Sequence, residues 1–157
     1  MRTQRRVVDY SLRKRAVLRE LLTSRVSTHD VCDASPYLKN AARFHGEPTE
    51  ERCPICRSEN LVYVHYIYGD ELKQSAGQAR NLAELSVLAM TLREFQVFVV
   101  EVCPGCDWNH LVQQFLLGRD GLVGDAENGT ERDAAGGPAA STAGTGPVAR
   151  RRREAQR

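Results

Sequence analysis

The sequence predicts an α+β chain in three stretches. Basic N-terminal helices span residues 1–48, a three-stranded antiparallel sheet with one inserted helix spans 49–118, and a disordered tail spans 119–157. Three observations carry this. Apolar residues recur at helical spacing near the N-terminus. Runs of β-branched and aromatic residues flank two matched Cys-x-x-Cys pairs in the middle. The last stretch holds seven of the twelve glycines and no aromatic residue.

The first helix is carried by Val7, Val8, Leu12, Ala16, Leu18, Leu21 and Leu22, with arginines between them. Ser24 and Ser27-Thr28 interrupt the pattern, and Thr28 is placed to cap a short second helix containing Asp30, Val31 and Cys32. Ser35 caps a third, with Pro36 at its first position, and Gly46 and Pro48 stop it. Residues 5–46 therefore read as three helices. Three helices in a row admit a helix-turn-helix, but the third offers only Lys39, Asn40 and Arg43 for reading base edges. A helical cap on the next module fits better.

Asn60 to Tyr68 reads as a strand ending at Gly69-Asp70, Glu94 to Val102 as a second, and Trp108 to Leu117 as a third. The last two form a hairpin around Cys103-Pro104-Gly105-Cys106. Leu82, Leu85, Leu88, Ala89 and Leu92 place a helix within Gln78–Leu92, positioned to cover one sheet face. The tail from Arg119 onward has only Leu122, Val123 and Val148 as large apolar residues, too few to offset its ordering entropy.

The charge is uneven. Residues 1–25 hold eight Arg and Lys against two acids, residues 26–118 seven against twelve, and the remainder seven against six. A net charge of +2 thus conceals a basic N-terminus on an acidic body. No apolar run reaches the roughly 20 residues of a membrane span, and the N-terminus is too charged for a signal peptide. The expectation is a cytoplasmic protein with no membrane association.

Cys53-Pro54-Ile55-Cys56 and Cys103-Pro104-Gly105-Cys106 carry the strongest chemistry. Two intervening residues let the backbone turn tightly enough for both thiolates to reach one ion, and two such pairs in one small domain make a tetrahedral four-cysteine site. Proline helps to set the turn, and Gly105 permits a positive φ. The expectation is a zinc-ribbon-like module whose zinc is structural, since a closed set of four thiolates leaves no coordination position for a substrate. Disulfides suit a reducing compartment poorly, and a thioredoxin-type site uses one pair placed before a helix. Cys32 has no paired cysteine nearby and reads as a core thiol. His29, His45, His65 and His110 lie in no metalloprotease or nucleophile motif and read as core or surface histidines.

Several segments together resemble a small actinobacterial family of unknown function with two CPxC cysteine pairs. They are Val31-Cys32-Asp33-Ala34-Ser35-Pro36-Tyr37-Leu38, Ala41-Ala42-Arg43, and His45-Gly46-Glu47-Pro48-Thr49. Further on come Cys53 to Cys56, Tyr68-Gly69-Asp70-Glu71-Leu72, and Val99 through Leu111. The resemblance covers about residues 5–118 and implies a cytosolic protein with two cysteine pairs. It supplies no activity.

The function therefore rests on the residues. The leading expectation is a non-enzymatic binding protein, a regulatory or assembly partner of a nucleic-acid-containing machine such as RNA polymerase or the ribosome. It would meet a protein partner and touch phosphates through Arg5, Arg6, Arg13, Lys14, Arg15 and Arg150, Arg151, Arg152 and Arg153, with no small-molecule substrate. Tyr63, Tyr66 and Tyr68 would stack bases if exposed, with Tyr66 and Tyr68 on one face and Tyr63 on the other. The alternatives are a redox or zinc sensor acting through the four-cysteine site, and a small enzyme using Asp70, Glu71 and His110.

Overall fold

The computed structural model describes residues 4–121. The disordered tail expected from Arg119 onward, with Arg150–Arg153, lies outside the described residues beyond Gly121. In chain order the elements are β1 (Arg5–Asp9), α1 (Ser11–Leu22), α2 (Thr28–Val31), α3 (Pro36–His45), β2 (Glu47–Arg52), β3 (Asn60–Tyr68), a 3-10 helix (Asp70–Ser75), β4 (Ala79–Arg80), α4 (Leu82–Thr91), β5 (Phe95–Val102) and β6 (Asn109–Leu117). No helix among the described residues is long and apolar enough to cross a membrane.

The three expected strands are present as β3, β5 and β6, but the sheet has six strands rather than three. Its order is β1-β6-β5-β3-β2, with β4 also paired to β3. Every pairing is antiparallel. The strands added at the two edges are charged. β2 reads Glu-Pro-Thr-Glu-Glu-Arg, and its proline is tolerated because an edge strand leaves one side unpaired. β1 corrects the helical reading of Val7 and Val8. These residues continue the sheet beyond β6, and α1 begins only at Ser11, whose backbone N–H donates to Asp9 Oδ1 at 2.6 Å. The β5–β6 register slips between Val99 and Val100, leaving Val112 as an extra residue. That bulge frees the Val112 carbonyl to accept the Tyr10 N–H at 2.9 Å, which ties the β1–α1 corner to the sheet.

The helices α2, α3 and α4 are capped locally. Ser35 Oγ accepts the Leu38 N–H with Pro36 at the first position, as the sequence predicts. The cap of α2 is Ser27 rather than Thr28, in a reciprocal capping box with Asp30. Asn81 and Glu84 form the same box on α4. Gly46 ends α3 for a different reason from the one expected. Its φ is −76°, and a Cβ there would overlap the Ala42 carbonyl and the Val62 side chain. It is a close approach of α3 to β3 that demands glycine.

Opposite faces of the sheet carry different helices. α4 sets Leu85, Leu88 and Ala89 against Ile67, Val97, Val99, Phe115 and Leu117. α3 packs Leu38, Ala41 and Ala42 against Val62, Val64 and Val102 on the other face. A third cluster closes the cysteine end: Val17, Leu18 and Leu21 of α1 pack on Trp108, Leu61, Cys53 and Cys103.

A buried polar chain fastens this end. Glu101 is fully buried. Trp108 Nε1 donates to Glu101 Oε1 at 2.8 Å, and Lys14 Nζ donates to Glu101 Oε2 at 2.6 Å. A buried carboxylate is tolerated only when it is paired and hydrogen-bonded. Lys14→Met therefore leaves Glu101 buried without its counter-charge and is expected to destabilise the fold by about 3–5 kcal/mol. Urea unfolding followed by the emission of Trp108, the single tryptophan, measures it.

Candidate metal centre

The two cysteine pairs are the turns of two hairpins. Cys53 follows β2 directly and the chain re-enters the sheet as β3 at Asn60, while Cys103 follows β5 and re-enters as β6 at Asn109. Direct β3–β5 pairing, Val62 with Val102 and Tyr63 with Glu101, sets the turns side by side at one end of the sheet.

The knuckles share one backbone bond and close with another that spans one residue more in the first. The Cys53 N–H donates to the Glu59 carbonyl, and the Arg57 N–H to the Cys53 carbonyl. In the second, the Cys103 N–H donates to the Trp108 carbonyl and the Asp107 N–H to the Cys103 carbonyl. In both, the residue after the second cysteine is left-handed, Arg57 at φ 56° and Asp107 at φ 64°. The positive φ expected at Gly105 is thus found two residues later. Gly105 instead makes room for Glu59, whose Cγ would lie 2.8 Å from an added Cβ.

All five cysteines are free thiols. The sulfurs of Cys53, Cys56, Cys103 and Cys106 all lie within 4.8 Å of one another. Cys53 and Cys106 are 3.5 Å apart, and Cys56 and Cys103 3.6 Å. A tetrahedron with metal–sulfur bonds of about 2.3 Å has edges of about 3.8 Å, so the four thiols fit a single thiophilic ion. Cys53 and Cys103 are fully buried, and Cys56 and Cys106 half-buried.

The thiols differ in acidity. The backbone N–H groups of Glu59 and Ser58 bond to Cys56 and lower its pKa to about 6. Burial pushes Cys103 and Cys106 up to about 12, against the amides of Cys106 and Gly105 at the first and of Trp108 at the second. At neutral pH the metal-free site thus keeps protons on Cys103 and Cys106 that an ion must displace.

The remaining expected residues divide. Arg6, Arg13 and Arg15 are exposed. Lys14 pairs with the buried Glu101 at 2.6 Å, and Arg5 pairs with Glu94 at 3.0 Å on the surface. Tyr63 lies on the face opposite Tyr66 and Tyr68, its hydroxyl on Glu51. Tyr66 and Tyr68 join Phe98, Val100 and Leu111 in an apolar groove of about 420 Å³.

Asp70 and Glu71 do not meet His110. They follow Tyr68, which pairs with Gln96, whereas His110 pairs with Glu101. Five residues of β5 separate those rungs, about 17 Å. Glu71 instead accepts the Arg93 backbone N–H. His110 lies against Trp108, and burial lowers the pKa of His110 and of the buried His65. Sequence reasoning missed Glu101, whose role needs a partner 87 residues away, and the position of Cys32, whose sulfur lies 4.0 Å from that of Cys106.

Zinc titrated into the reduced, metal-free protein should release at least two protons per ion at neutral pH, from Cys103 and Cys106. The apparent affinity should then rise with pH by at least about a hundredfold per unit, measured against a competing chelator. Cys103→Ser, in the buried half of the set, should abolish tight binding and expose Trp108, read as a red shift of its emission.

The sequence has relatives. An uncharacterized protein of Mycobacterium bovis and two from strains of Mycobacterium tuberculosis are each 49% identical over 111 residues, covering 71% of this chain and 81% of the relative. No solved structure matches. A family model described as a family of unknown function, DUF5318, matches residues 1–131. Because that model matches well over half of its residues, the chain belongs to the DUF5318 family.

Proposed function

We propose that this protein is a zinc-ribbon-like binding module, a non-enzymatic regulatory or assembly partner of a nucleic-acid-containing machine of transcription or translation in the cytoplasm. Zinc is structural in this reading. The observation that carries it is the closed donor set. Four sulfurs converge on one point, two of them fully buried, and a four-coordinate ion among them has no position left for a substrate. The thiolate-only donor set favours zinc among the common divalent ions. The ion would stabilise the hairpin pair by an amount on the order of 10 kcal/mol.

The surface supports docking rather than turnover. The sheet half left open by α3 carries Tyr68, Phe98, Val100 and Leu111, bordered by Tyr66, which stacks on Tyr37 of α3, and Tyr68 is 46% exposed. A shallow apolar face of this kind suits contact with a macromolecule. Arg6, Arg13 and Arg15 stand exposed around the β1–α1 corner, where a phosphate backbone would be met.

The test is sedimentation of the full chain, expressed in a mycobacterial host, through gradients of increasing salt. The expected result is co-migration with ribosomes or RNA polymerase at low salt, reduced as salt rises and by the combined Arg6→Glu, Arg13→Glu and Arg15→Glu substitutions. Migration at the 17.5 kDa of the free chain under every condition contradicts the reading.

A further inference from the structure

The fifth cysteine stands beside the cluster, and this placement is built. Cys32 closes α2, and the chain after it is tied to the second knuckle three times. The Ala34 N–H donates to the Asp107 carbonyl at 3.0 Å, Asn109 Nδ2 donates to Asp33 Oδ1 at 2.9 Å, and Lys39 pairs with Asp107 at 3.0 Å. These bonds hold Cys32 Sγ at 4.0 Å from Cys106 Sγ, across 74 residues of sequence. Both thiols are half-buried, whereas Cys53 and Cys103 are sealed. Four thiols already complete a tetrahedral site. The fifth is surplus to coordination, within a short side-chain movement of a ligand sulfur, and on the side of the cluster that solvent reaches.

We propose that Cys32 and Cys106 form a reversible regulatory disulfide, with Cys32 as the resolving thiol that removes Cys106 from the metal when a peroxide oxidises it. The Cys106 thiolate attacks one peroxide oxygen, the O–O bond breaks, and hydroxide leaves, giving a sulfenic acid. Cys32 sulfur then attacks the Cys106 sulfur. The S–S bond forms, the S–O bond breaks, and the departing hydroxide takes the Cys32 proton to become water. One thiol, one thiolate and hydrogen peroxide thus give one disulfide, one water and one hydroxide. The ion is left with three ligands and is released, and α2 becomes covalently joined to the second knuckle. The inference rests on the metal-site reading above, both for the thiolate form of Cys106 and for the release step, while the nearness of Cys32 to Cys106 depends only on the two sulfurs.

The experiment uses the full-length, zinc-loaded, reduced protein treated with graded hydrogen peroxide. Zinc is counted before treatment, and a chromogenic chelator follows its release. Trypsin separates Cys32 on peptide 26–39, Cys53 and Cys56 on 53–57, and Cys103 and Cys106 on 94–119. The expected product joins 26–39 to 94–119, two hydrogens lighter than their sum, with fragmentation placing the link at Cys106. It appears in step with zinc release, and dithiothreitol reverses both. Cys32→Ala should bind zinc with wild-type stoichiometry and release it several-fold more slowly under peroxide. The proposal is overturned if peptide 26–39 stays free and alkylatable while zinc is lost. It is equally overturned if Cys32→Ala releases zinc at the wild-type rate, or if it fails to bind zinc that the wild type holds. A wild-type protein that binds no zinc fails the metal-site reading instead, and the peptide map still decides the disulfide.

Discussion

The convergence of four thiols on one point is the constraint around which the rest of the molecule is arranged. The cysteine pairs are 46 residues apart in the chain, and neither hairpin turn can bring them together alone. The pairing of β3 with β5 does so, because it aligns the ends of two hairpins at the same rung. The matching left-handed residues Arg57 and Asp107 then turn each chain back into the sheet. The third core cluster, with Leu61, Trp108 and α1, is built directly on the sealed cysteines. A loss of closure at this point therefore reaches α1 and α2 as well as the two turns.

The helical elements serve that end of the sheet in different ways. α1 supplies Lys14 to a fully buried carboxylate, and Trp108 completes the bond set of the same carboxylate. A basic residue of the N-terminal segment thus has its partner inside the fold. α2 contributes a sulfur at the rim of the cluster. α4 is remote from the thiols and covers the opposite half of the sheet. The exposed apolar groove around Tyr68 and Phe98 lies on the face that α3 only half covers.

Much of this was legible in the sequence, and the omissions share causes. The two knuckles, the strands β3, β5 and β6, the cap and first turn of α3, and α4 all follow from local rules of spacing, alternation and capping. β1 and β2 did not, because edge strands carry charge and proline and so lack the alternation of a half-buried strand. Val7 and Val8 fit a helical pattern with Leu12, yet the free edge of β6 and the Asp9–Ser11 bond override that pattern locally. The long-range pairs were beyond reach for a simpler reason. Lys14 with Glu101 and Cys32 with Cys106 are brought together by the topology alone.

X-ray absorption at the zinc edge tests the central claim most directly, on the full chain purified reduced from zinc-supplied cells. Four equivalent sulfur ligands at about 2.3 Å, with one zinc per chain, are the predicted result. A folded protein with Trp108 buried that carries no zinc, or whose zinc shows oxygen or nitrogen ligands in place of sulfur, would contradict it.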